Sequence, residues 1–372
     1  MTRCRVAVAM SGGVDSSVAA ALLKEQGYDV VGFSMQLYDQ TRGGAEAAGR
    51  AYGRCCALED LYDARQVAAR LGIPHYVVNF ERDFERLVVR SFIEDYRDGL
   101  TPSPCVLCNS RMKFDHLTRL AEDVGASHVA TGHYARITPD PQTGRHLLRR
   151  GFDADKDQSY FLFELRQEQL ARAMFPLGEL DKDEVRRLAH RYGLAVAEKA
   201  DSQEICFVPD GDYAGFVGRS LGIEGQEAAL AGDIVNSEGQ IIGRHRGIHH
   251  YTIGQRRGLG IAHPAPLYVI DLQPRERRVV VGERSKLAKK SFHAAGVNWI
   301  AVAGPHQPVR ATVKIRSRHP GAEASVTPRG GGSVEVVFDE PQMAVTPGQA
   351  AVFYCEDKVL GGAWITRDPA GL

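Results

Sequence analysis

The stretch RVAVAMSGGVDSSVAAALLKEQG, residues 5–27, decides the fold of the N-terminal part of the chain. Its first six residues form a short apolar and β-branched run, which predicts a buried β-strand. From residue 14 onward, apolar side chains recur at helical spacing up to Gly27, a residue typical of a helix C-cap. A strand that passes through a Gly-Gly turn directly into a helix is typical of the α/β class.

The turn itself, AMSGGVDSS at residues 9–17, has the composition of an anion-binding loop. Gly12 and Gly13 allow a tight backbone, the serines add hydroxyl donors, and the following helix adds free N–H groups and the positive end of its dipole. Asp15 would repel phosphate unless it binds Mg²⁺ or caps backbone donors. The pattern is neither a Walker A loop nor a dinucleotide fingerprint, and a Gly-rich turn without a ligand is the alternative.

Strand and helix patterns continue to alternate over the first 150 residues, with YDVVGFSMQL and HYVVNF as further strands. This alternation predicts a doubly wound parallel sheet, whose ligands bind at the carboxyl ends of the strands. From Gly211 glycine becomes frequent and long helical patterns stop, which predicts a small, loop-rich middle domain over residues 211–273. Alternating segments such as RRVVVGE and SVEVVFDE predict an antiparallel β-barrel over residues 274–372.

Charge is distributed unevenly along the chain. The whole sequence has 46 basic and 46 acidic residues, yet residues 240–320 contain 15 Lys and Arg against three Asp and Glu, a local net charge of +12. A merely solvated face of a β-rich domain would not need such segregation. The stretch therefore predicts a polyanionic partner, with nucleic acid as the first candidate.

The N-terminus has an apolar run of about six residues, too short for a signal peptide, and no stretch approaches the roughly 18 apolar residues of a membrane span. We therefore expect a cytoplasmic chain with no membrane partner. An odd count of seven cysteines argues against a disulfide framework and favours metal-binding or catalytic thiols. The spacing of Cys105 and Cys108 in TPSPCVLCN serves zinc sites, redox disulfides, iron–sulfur clusters and cysteine nucleophiles alike.

Seven motifs carry a resemblance to a known family: SGGVDSS, PSPCVLCN, ATGHYAR, KDQSYFL, DSQEICF, YTIGQRRGLG and VTPGQAAVFY. The first resembles the pyrophosphate loop of the ATP pyrophosphatases, whose Rossmann-like domain adenylates a substrate. The full set spans essentially the whole chain and resembles the bacterial tRNA-specific 2-thiouridylases, which convert uridine 34, the anticodon wobble base, to 2-thiouridine. The resemblance implies an ATP pyrophosphatase catalytic domain at 1–210, an adaptor at 211–273 and a tRNA-binding barrel at 274–372.

The resemblance also implies site residues, carried over position by position. Those that bind ATP are Ala9, Met10, Ser11, Gly12, Gly13, Val14, Asp15, Ser16, Met35 and Gly132. Those beside the target base or in contact with tRNA are Ser103, Pro104, Cys105, His133, Lys156, Asp157, Gln158, Arg316, Ser317 and Gln349. The catalytic pair is Cys108, the nucleophile, and Cys206, which carries a persulfide. ATP and Mg²⁺ are the implied cofactors, tRNA is the partner, and a cysteine desulfurase or sulfur-relay protein is the sulfur donor.

The implied chemistry needs two separated cysteines. ATP converts the uridine 2-oxygen to an adenylate, the persulfide sulfur on Cys206 attacks C2, and Cys108 either releases the sulfur as sulfide or forms a disulfide with Cys206. Many family members have Asp, interpreted as a general base, where this chain has Cys105. Three thiols with one open corner suit a [4Fe–4S] cluster on Cys105, Cys108 and Cys206, which is the alternative to the persulfide route.

Two further functions stay open at this point. Another ATP pyrophosphatase-type ligase on a small substrate would explain the glycine-rich loop, but it would need neither the paired cysteine sites nor the +12 stretch. A non-catalytic RNA-binding protein with a zinc-like CVLC knuckle would explain the charge, but it would leave SGGVDSS without a purpose.

Overall fold

The computed structural model describes residues 4–38, 58–201, 204–222 and 230–367. The chain divides into two compact units. The first unit comprises Met1–Val89, Cys105–Gly211 and Asp357–Val359, and the second comprises Arg90–Pro104, Asp212–Glu356 and Leu360–Leu372. Within the described ranges, no helix has both the length and the apolar character needed to cross a bilayer.

The strands are β1 Arg5–Ala9, β2 Asp29–Gln36, β3 His75–Asn79, β4 His128–Ala130, β5 Ala135–Pro139, β6 His146–Arg150, β7 Ala173–Met174, β8 Gly232–Val235, β9 Ile241–His245, β10 Tyr268–Gln273, β11 Arg278–Gly282, β12 Ala288–Trp299, β13 Val309–Lys314, β14 Ala322–Arg329, β15 Ser333–Met343, β16 Ala350–Cys355 and β17 Lys358–Ile365. The helices are α1 Val14–Glu25, α2 Leu58–Leu71, α3 Glu81–Phe84, α4 Arg90–Arg97, α5 Pro104–Leu107, α6 Asp115–Asp123, α7 Gln167–Arg172, α8 Lys182–Arg191 and α9 Tyr213–Ser220. Two π-helical segments lie at Glu85–Val89 and Cys108–Phe114, and short 3-10 turns at Ser159–Leu162, Ile248–His250, Arg284–Leu287 and Gly330–Gly332.

A five-stranded parallel sheet forms the centre of the first unit, with strand order β3-β2-β1-β4-β7. Val6 and Val8 of β1 are fully buried between the helices, as the continuous apolar run predicts for a central parallel strand. The strand order reverses at β1, because β2 and β3 lie on one side and β4 and β7 on the other. A crevice at the carboxyl ends of β1 and β4 is therefore the expected ligand position, and the predicted doubly wound sheet is confirmed.

The second unit contains two β structures. Strands β10-β11-β8-β9 form a four-stranded sheet, in which β11 and β8 run parallel and the outer pairs antiparallel. Strands β12-β15-β14-β13-β16-β17 form an antiparallel sheet that closes by pairing β17 with β12. The predicted middle domain and C-terminal barrel are thus confirmed as elements of the fold. The sequence-based limits 1–210, 211–273 and 274–372 stay predictions; β11, which begins at Arg278, pairs within the middle sheet.

Candidate nucleotide and sulfur-transfer site

The loop between β1 and α1 has the backbone of an anion cradle. Gly12 has φ 74°, and a Cβ placed there would lie 2.1 Å from the carbonyl oxygen of Asp60, so only glycine fits. Gly13 is the extended N-cap of α1 (φ −92°, ψ 166°), and a Cβ there would meet only Ser11 Oγ, at 3.6 Å. The N–H groups of the first turn of the twelve-residue α1 therefore have open space beside Gly13.

Serine hydroxyls hold the shape of this loop. Ser16 Oγ accepts a hydrogen bond from the Ser11 backbone N–H at 3.1 Å and donates one to the Gly13 carbonyl at 3.2 Å. Ser17 Oγ also donates to the Gly13 carbonyl, at 2.8 Å, and Ser17 is fully buried. Ser17 therefore supports the loop from its buried side, whereas Ser11 and Ser16 also line the cavity beside the loop.

This cavity has a volume of about 320 Å³ and opens at the carboxyl ends of β1 and β4. Ten of the predicted site residues line it, namely Ala9, Ser11, Gly13, Val14, Asp15, Ser16, Gly132, His133, Lys156 and Gln158. Gly132 packs against the start of α1, since a Cβ there would lie 2.6 Å from the Ser16 nitrogen. Met35 is buried in β2 at 8% exposure and is not part of the described wall, so its contact with a nucleotide stays a prediction.

A chain of alternating charges runs along the cavity wall. Asp15 Oδ1 accepts hydrogen bonds from the Tyr134 hydroxyl at 2.8 Å and from Lys182 Nζ at 2.7 Å. Lys182 Nζ also lies 2.7 Å from Asp201 Oδ1, and Asp201 Oδ2 accepts from Lys156 Nζ at 2.7 Å. Burial raises the pKa of Asp201, but the bonds to Lys156 and Lys182 outweigh it and lower the pKa overall. The bond to Asp201 raises the pKa of Lys156. Asp201 is therefore held as a carboxylate and Lys156 as an ammonium at neutral pH.

Lys199 braces the loop from a second direction. Its Nζ donates to the Gly12 carbonyl at 3.0 Å and to Asp60 Oδ1 at 2.6 Å, and it also contacts Asp63. Burial lowers the pKa of Lys199, but the bonds to Asp60 and Asp63 outweigh it and raise the pKa overall. The ammonium thus ties the left-handed glycine to the first turn of α2.

His133 lies deep in the wall of the cavity. Its ring packs against the rings of Phe114 and Phe175, with centroid distances of 6.4 and 5.9 Å, and Nδ1 lies 2.7 Å from Thr131 Oγ1. Burial, with a smaller contribution from the Lys113 charge, lowers the pKa of His133 to about 3. A neutral imidazole in an aromatic frame suits stacking or hydrogen bonding to a base, and it does not suit charge pairing with phosphate.

The other members of KDQSYFL are engaged in shaping their own loop. Asp157 accepts hydrogen bonds from the Gly151 and Ser159 backbone N–H groups at 3.1 and 3.0 Å. Gln158 Oε1 accepts from the Tyr134 N–H at 2.9 Å, and the Gln158 N–H donates to the Tyr134 carbonyl at 2.9 Å. Their contacts with tRNA stay predictions.

The CVLC stretch is helical, although the prolines on either side of Ser103 are typical of a turn. Pro104 is the first residue of α5, a position where its missing N–H costs nothing and its fixed φ suits a helix. Cys108 begins the π-helical segment and is 8% exposed, whereas Cys105 is exposed. π-Helical turns are frequent at functional sites. Ser110, two residues on, donates to Glu164 Oε2 at 2.6 Å and so fastens this segment.

Cys206 lies in a turn and is partly exposed, but its neighbour Phe207 is a buried anchor. The Phe207 ring packs edge-on against Phe84, with a centroid distance of 5.6 Å. Phe84 ends α3, and α3 and the π-helical segment Glu85–Val89 both pack against the segment that Cys108 begins. The same helical support therefore holds the surroundings of both cysteines within the first unit. Their direct approach stays a prediction.

A cluster site is not assembled by these cysteines. Among the residues that the structure describes, no three His, Cys, Asp or Glu side chains come together as a metal ion would require. Cys105, Cys108 and Cys206 therefore do not present the thiolate set that a [4Fe–4S] cluster needs. The cluster stays a prediction without a geometric counterpart in the fold.

In the second unit, Gln349 connects a barrel turn to the segment before the CVLC helix. Its Nε2 donates to the carbonyls of Thr101 and Pro102 at 3.0 and 3.1 Å, and the Thr101 N–H donates to the Pro347 carbonyl at 2.9 Å. A Cβ at Gly348 would lie 2.9 Å from the Thr101 backbone. The predicted tRNA contact of Gln349 stays a prediction; its amide here orders the backbone that leads to Ser103 and Pro104, two expected neighbours of the base.

The basic stretch lies largely on the surface of the second unit. Its exposed members are Arg244, Arg246, Arg256, Arg257, Arg275, Arg277, Arg278, Arg284, Lys286, Lys290, Arg310, Arg316 and Arg318. Arg316 donates one hydrogen bond to the Met343 carbonyl oxygen at 3.2 Å, and Ser317 beside it is partly buried. Apart from Arg310, which pairs with Asp339, these exposed side chains present positive charge on the surface that suits phosphate contacts.

Sequence reasoning missed several residues that line the cavity, chiefly Tyr134, Lys199 and Asp201, and it missed Lys182, which pairs with Asp15 and Asp201. Tyr134 and Asp201 lie within the motifs ATGHYAR and DSQEICF. The sequence therefore indicated these two segments, but it did not predict the contacts that Tyr134 and Asp201 make. Lys182 offered a weak signal of its own. It is the first residue of α8, where an ammonium opposes the helix dipole and needs carboxylate partners.

The parallel sheet, its switch-point cavity and the glycine-rich cradle define an α/β nucleotide-binding domain joined to two small β domains. Three family models match the chain in this order: tRNA methyl transferase HUP domain over residues 4–210, tRNA methyl transferase PRC-barrel domain over 223–283, and aminomethyltransferase β-barrel domain over 289–365.

Curated relatives are similar over nearly the full length. The tRNA-specific 2-thiouridylase MnmA of Solibacter usitatus is 56% identical, covering 97% of this chain and 98% of its own, and that of Geobacter metallireducens is 53% identical, covering 98% and 97%. The chain belongs to the tRNA-specific 2-thiouridylase family. A solved 4-thiouridine synthetase–RNA complex with bound ATP is 14% identical with a TM-score of 0.35, covering 59% of this chain and 51% of that one, a likeness too distant to bear on function.

Proposed function

We propose that the protein uses ATP to replace the 2-oxygen of uridine 34 in tRNA by sulfur, with release of AMP and pyrophosphate. The observation that carries the proposal is the glycine cradle at the start of α1, which opens into a cavity lined by lysines in a chain of this family. ATP and tRNA as substrates place the enzyme in the cytoplasm.

The donor set suits a triphosphate. The first-turn N–H groups of α1 and the wall lysines Lys113, Lys156 and Lys199 offer positive potential, and the empty position beside Gly13 lets phosphate approach the backbone. Asp15 would hold Mg²⁺ together with phosphate oxygens, since this ion needs only one or two protein carboxylates in such sites. Bound there, Mg²⁺ neutralises phosphate charge.

The glycine cradle, His133 and the two cysteines would each have a separate role in the reaction. The cradle holds the phosphates, and the neutral ring of His133 faces the reaction cavity without adding charge. After O2 of the base has bonded to the α-phosphorus, the outer sulfur of a Cys206 persulfide attacks C2 and AMP departs with the oxygen. The Cys108 thiolate attacks Cys206 Sγ, the persulfide S–S bond breaks, and its electron pair stays with the sulfur on the base.

A Cys108–Cys206 disulfide results, which a cellular thiol must reduce before the next turnover. The persulfide itself comes from a donor such as a cysteine desulfurase or a sulfur-relay protein. We derive no step through an iron–sulfur cluster, because Cys105, Cys108 and Cys206 do not form a group of metal ligands in the part of the chain described here.

The test combines two readouts in one reaction with unmodified tRNA, ATP and a persulfide donor. The wild type should release pyrophosphate and yield 2-thiouridine by mass spectrometry of digested tRNA. Cys206→Ala should yield no thionucleoside, and Cys355→Ala, which removes an exposed thiol at the end of β16, should behave as the wild type. A methylated nucleoside in place of the thionucleoside would instead support the methyl-transferase name of the family models.

A further inference from the structure

The charge chain on the cavity wall has a feature that nucleotide binding alone leaves unexplained. One carboxylate, Asp201, accepts from two ammonium groups at 2.7 Å each, those of Lys156 and Lys182. The Lys182 side chain is only 11% exposed and sits at the unfavourable positive end of α8. Asp201 thus draws the ammonium groups of Lys156 and Lys182 together, and Asp15 gives Lys182 a second carboxylate partner. Two like charges held this close repel each other unless negative charge lies between them. The arrangement suggests that the lysines are held ready for a larger anion.

The position of the pair agrees with that suggestion. Lys156 and Asp201 line the same cavity as the cradle, and Lys182 reaches Asp15 of the cradle itself at 2.7 Å. Each ammonium has three N–H donors, of which Asp201 takes one from each. A phosphate group presents the same kind of negative oxygens, in greater number and with greater charge. A bridging carboxylate on two lysines therefore occupies the place where a phosphate group would fit.

We propose that Lys156 and Lys182 bind the pyrophosphate leaving group, and that Asp201 occupies their donors until pyrophosphate forms. The inference rests on the proposed adenylation. There, the bond from uridine O2 to the α-phosphorus forms, the bond to the bridging oxygen breaks, and that oxygen leaves with the electron pair on pyrophosphate. The uridine N3 proton passes to solvent. The two ammonium groups balance the charge that develops on the leaving group.

Substitutions on the two sides of the ion pairs should have opposite effects. The probe is inorganic pyrophosphate, measured by calorimetry and as a competitive inhibitor against ATP. Lys182→Met and Lys156→Met should each weaken its binding by about tenfold to a hundredfold, the value of a charge-assisted hydrogen bond. Lys182→Arg should retain most of the affinity. Asp201→Asn should tighten pyrophosphate binding several-fold, because the competing carboxylate charge is gone.

Matched controls are Lys24→Met and Asp155→Asn, which alter exposed side chains of the first unit that do not line the cavity. A structural role for the network would weaken pyrophosphate binding in all three neutralising variants and lower their unfolding temperatures together, and that result would overturn the inference. Unchanged affinity in both lysine variants would overturn it as well. If the wild type bound neither ATP nor pyrophosphate, the proposed function itself would fail, a separate and recognisable outcome.

Discussion

Adding one methyl group to the cradle should separate its role in binding from its role in folding. Gly13→Ala places a Cβ in the open position beside the first N–H groups of α1, 3.6 Å from Ser11 Oγ. The backbone there is extended (φ −92°), which alanine adopts without strain. We expect this variant to fold and to lose adenylation, because the methyl group stands where phosphate must approach.

The expected stability change is close to zero. Replacing an N-cap glycine by alanine lowers the free energy of unfolding by roughly 0.5–1 kcal/mol, and the smaller conformational entropy of the unfolded chain raises it by about 0.4–1 kcal/mol. The expected activity change is large, since a displacement of about 1 Å at a reacting group costs on the order of a hundredfold in rate. The tRNA-dependent release of pyrophosphate should therefore fall by about that factor while the unfolding temperature stays nearly constant.

Gly12→Ala is the matched comparison, one residue away and chemically identical. Its left-handed backbone (φ 74°) costs about 1–2 kcal/mol, and the overlap of the new Cβ with the Asp60 carbonyl adds roughly 1–3 kcal/mol. At roughly 2–4 °C per kcal/mol for a unit of this size, the unfolding temperature should fall by about 4–20 °C. Calorimetry and a coupled pyrophosphatase assay give both numbers for each variant.

The result that would refute this account is full pyrophosphate release by a folded Gly13→Ala enzyme, because phosphate could then not lie against Gly13. Equal loss of stability in the two variants would also contradict the geometry, since it would mean that Gly13 is as tightly enclosed as Gly12.

Three further outcomes are expected. Cys105→Ser should keep substantial thiolation activity and Cys206→Ala none, measured as 2-thiouridine per tRNA; loss of iron and activity together in Cys105→Ser would favour the cluster after all. Arg316→Ala should weaken tRNA binding and reduce its salt dependence without changing ATP affinity, whereas Arg310→Ala should do less, because Asp339 already neutralises Arg310. Lowering the pH from 8 to 5 should reduce the free energy of unfolding by about 2 kcal/mol through His133, because its pKa is 6.5 in the unfolded state and about 3 in the folded state, so that the unfolded state binds more protons. Urea titrations of the wild type and of His133→Gln across this pH range measure the effect as the difference between the two proteins. Stability curves that run parallel with pH would contradict the prediction.

The fold was predictable because its signals are local. The run VAV of β1, the helical spacing that follows and Gly27 at the end of α1 each indicate one element without reference to the rest of the chain. Gly27 indeed has φ 88°, as a residue that ends a helix in the left-handed conformation. Alternation of such elements then leaves little choice of architecture, because right-handed crossovers place the helices on the faces of a parallel sheet.

The CVLC stretch shows where local signals mislead. Two prolines around Ser103 are typical of a turn and not of a helix. The structure uses Pro104 in its other favourable position, at the first residue of α5, so that the cysteines belong to a helical segment. The π-helical conformation from Cys108 onward has no sequence signature that we could have applied, because it depends on packing against the neighbouring helix and on Ser110 bonding to Glu164.

The lysine and aspartate network was out of reach for a different reason. Asp15, Lys182 and Asp201 are far apart in sequence, and each alone is an ordinary charged residue near a helix end or in a loop. Only the fold brings α8 and the segment before Cys206 to the cradle. The family motifs predicted which segments form the site, but the ion pairs that support those segments became visible only in the three-dimensional structure.

The last prediction concerns how Cys206 is held. The adjacent Phe207 is 3% exposed and packs on Phe84 at 5.6 Å and on Tyr38 at 6.3 Å, so its ring fixes the turn that carries the thiol. Phe207→Leu keeps an apolar side chain but loses the aromatic contacts, at a cost of about 1 kcal/mol. Sulfur transfer should fall about tenfold or more, because the persulfide is no longer aimed, while pyrophosphate release stays unchanged. Phe216→Leu makes the same change in the aromatic cluster of the second unit and should cost similar stability without selective loss of sulfur transfer. If Phe207→Leu reduced both half-reactions equally, or neither, Phe207 would be an ordinary core residue and the anchoring of Cys206 would have to come from elsewhere.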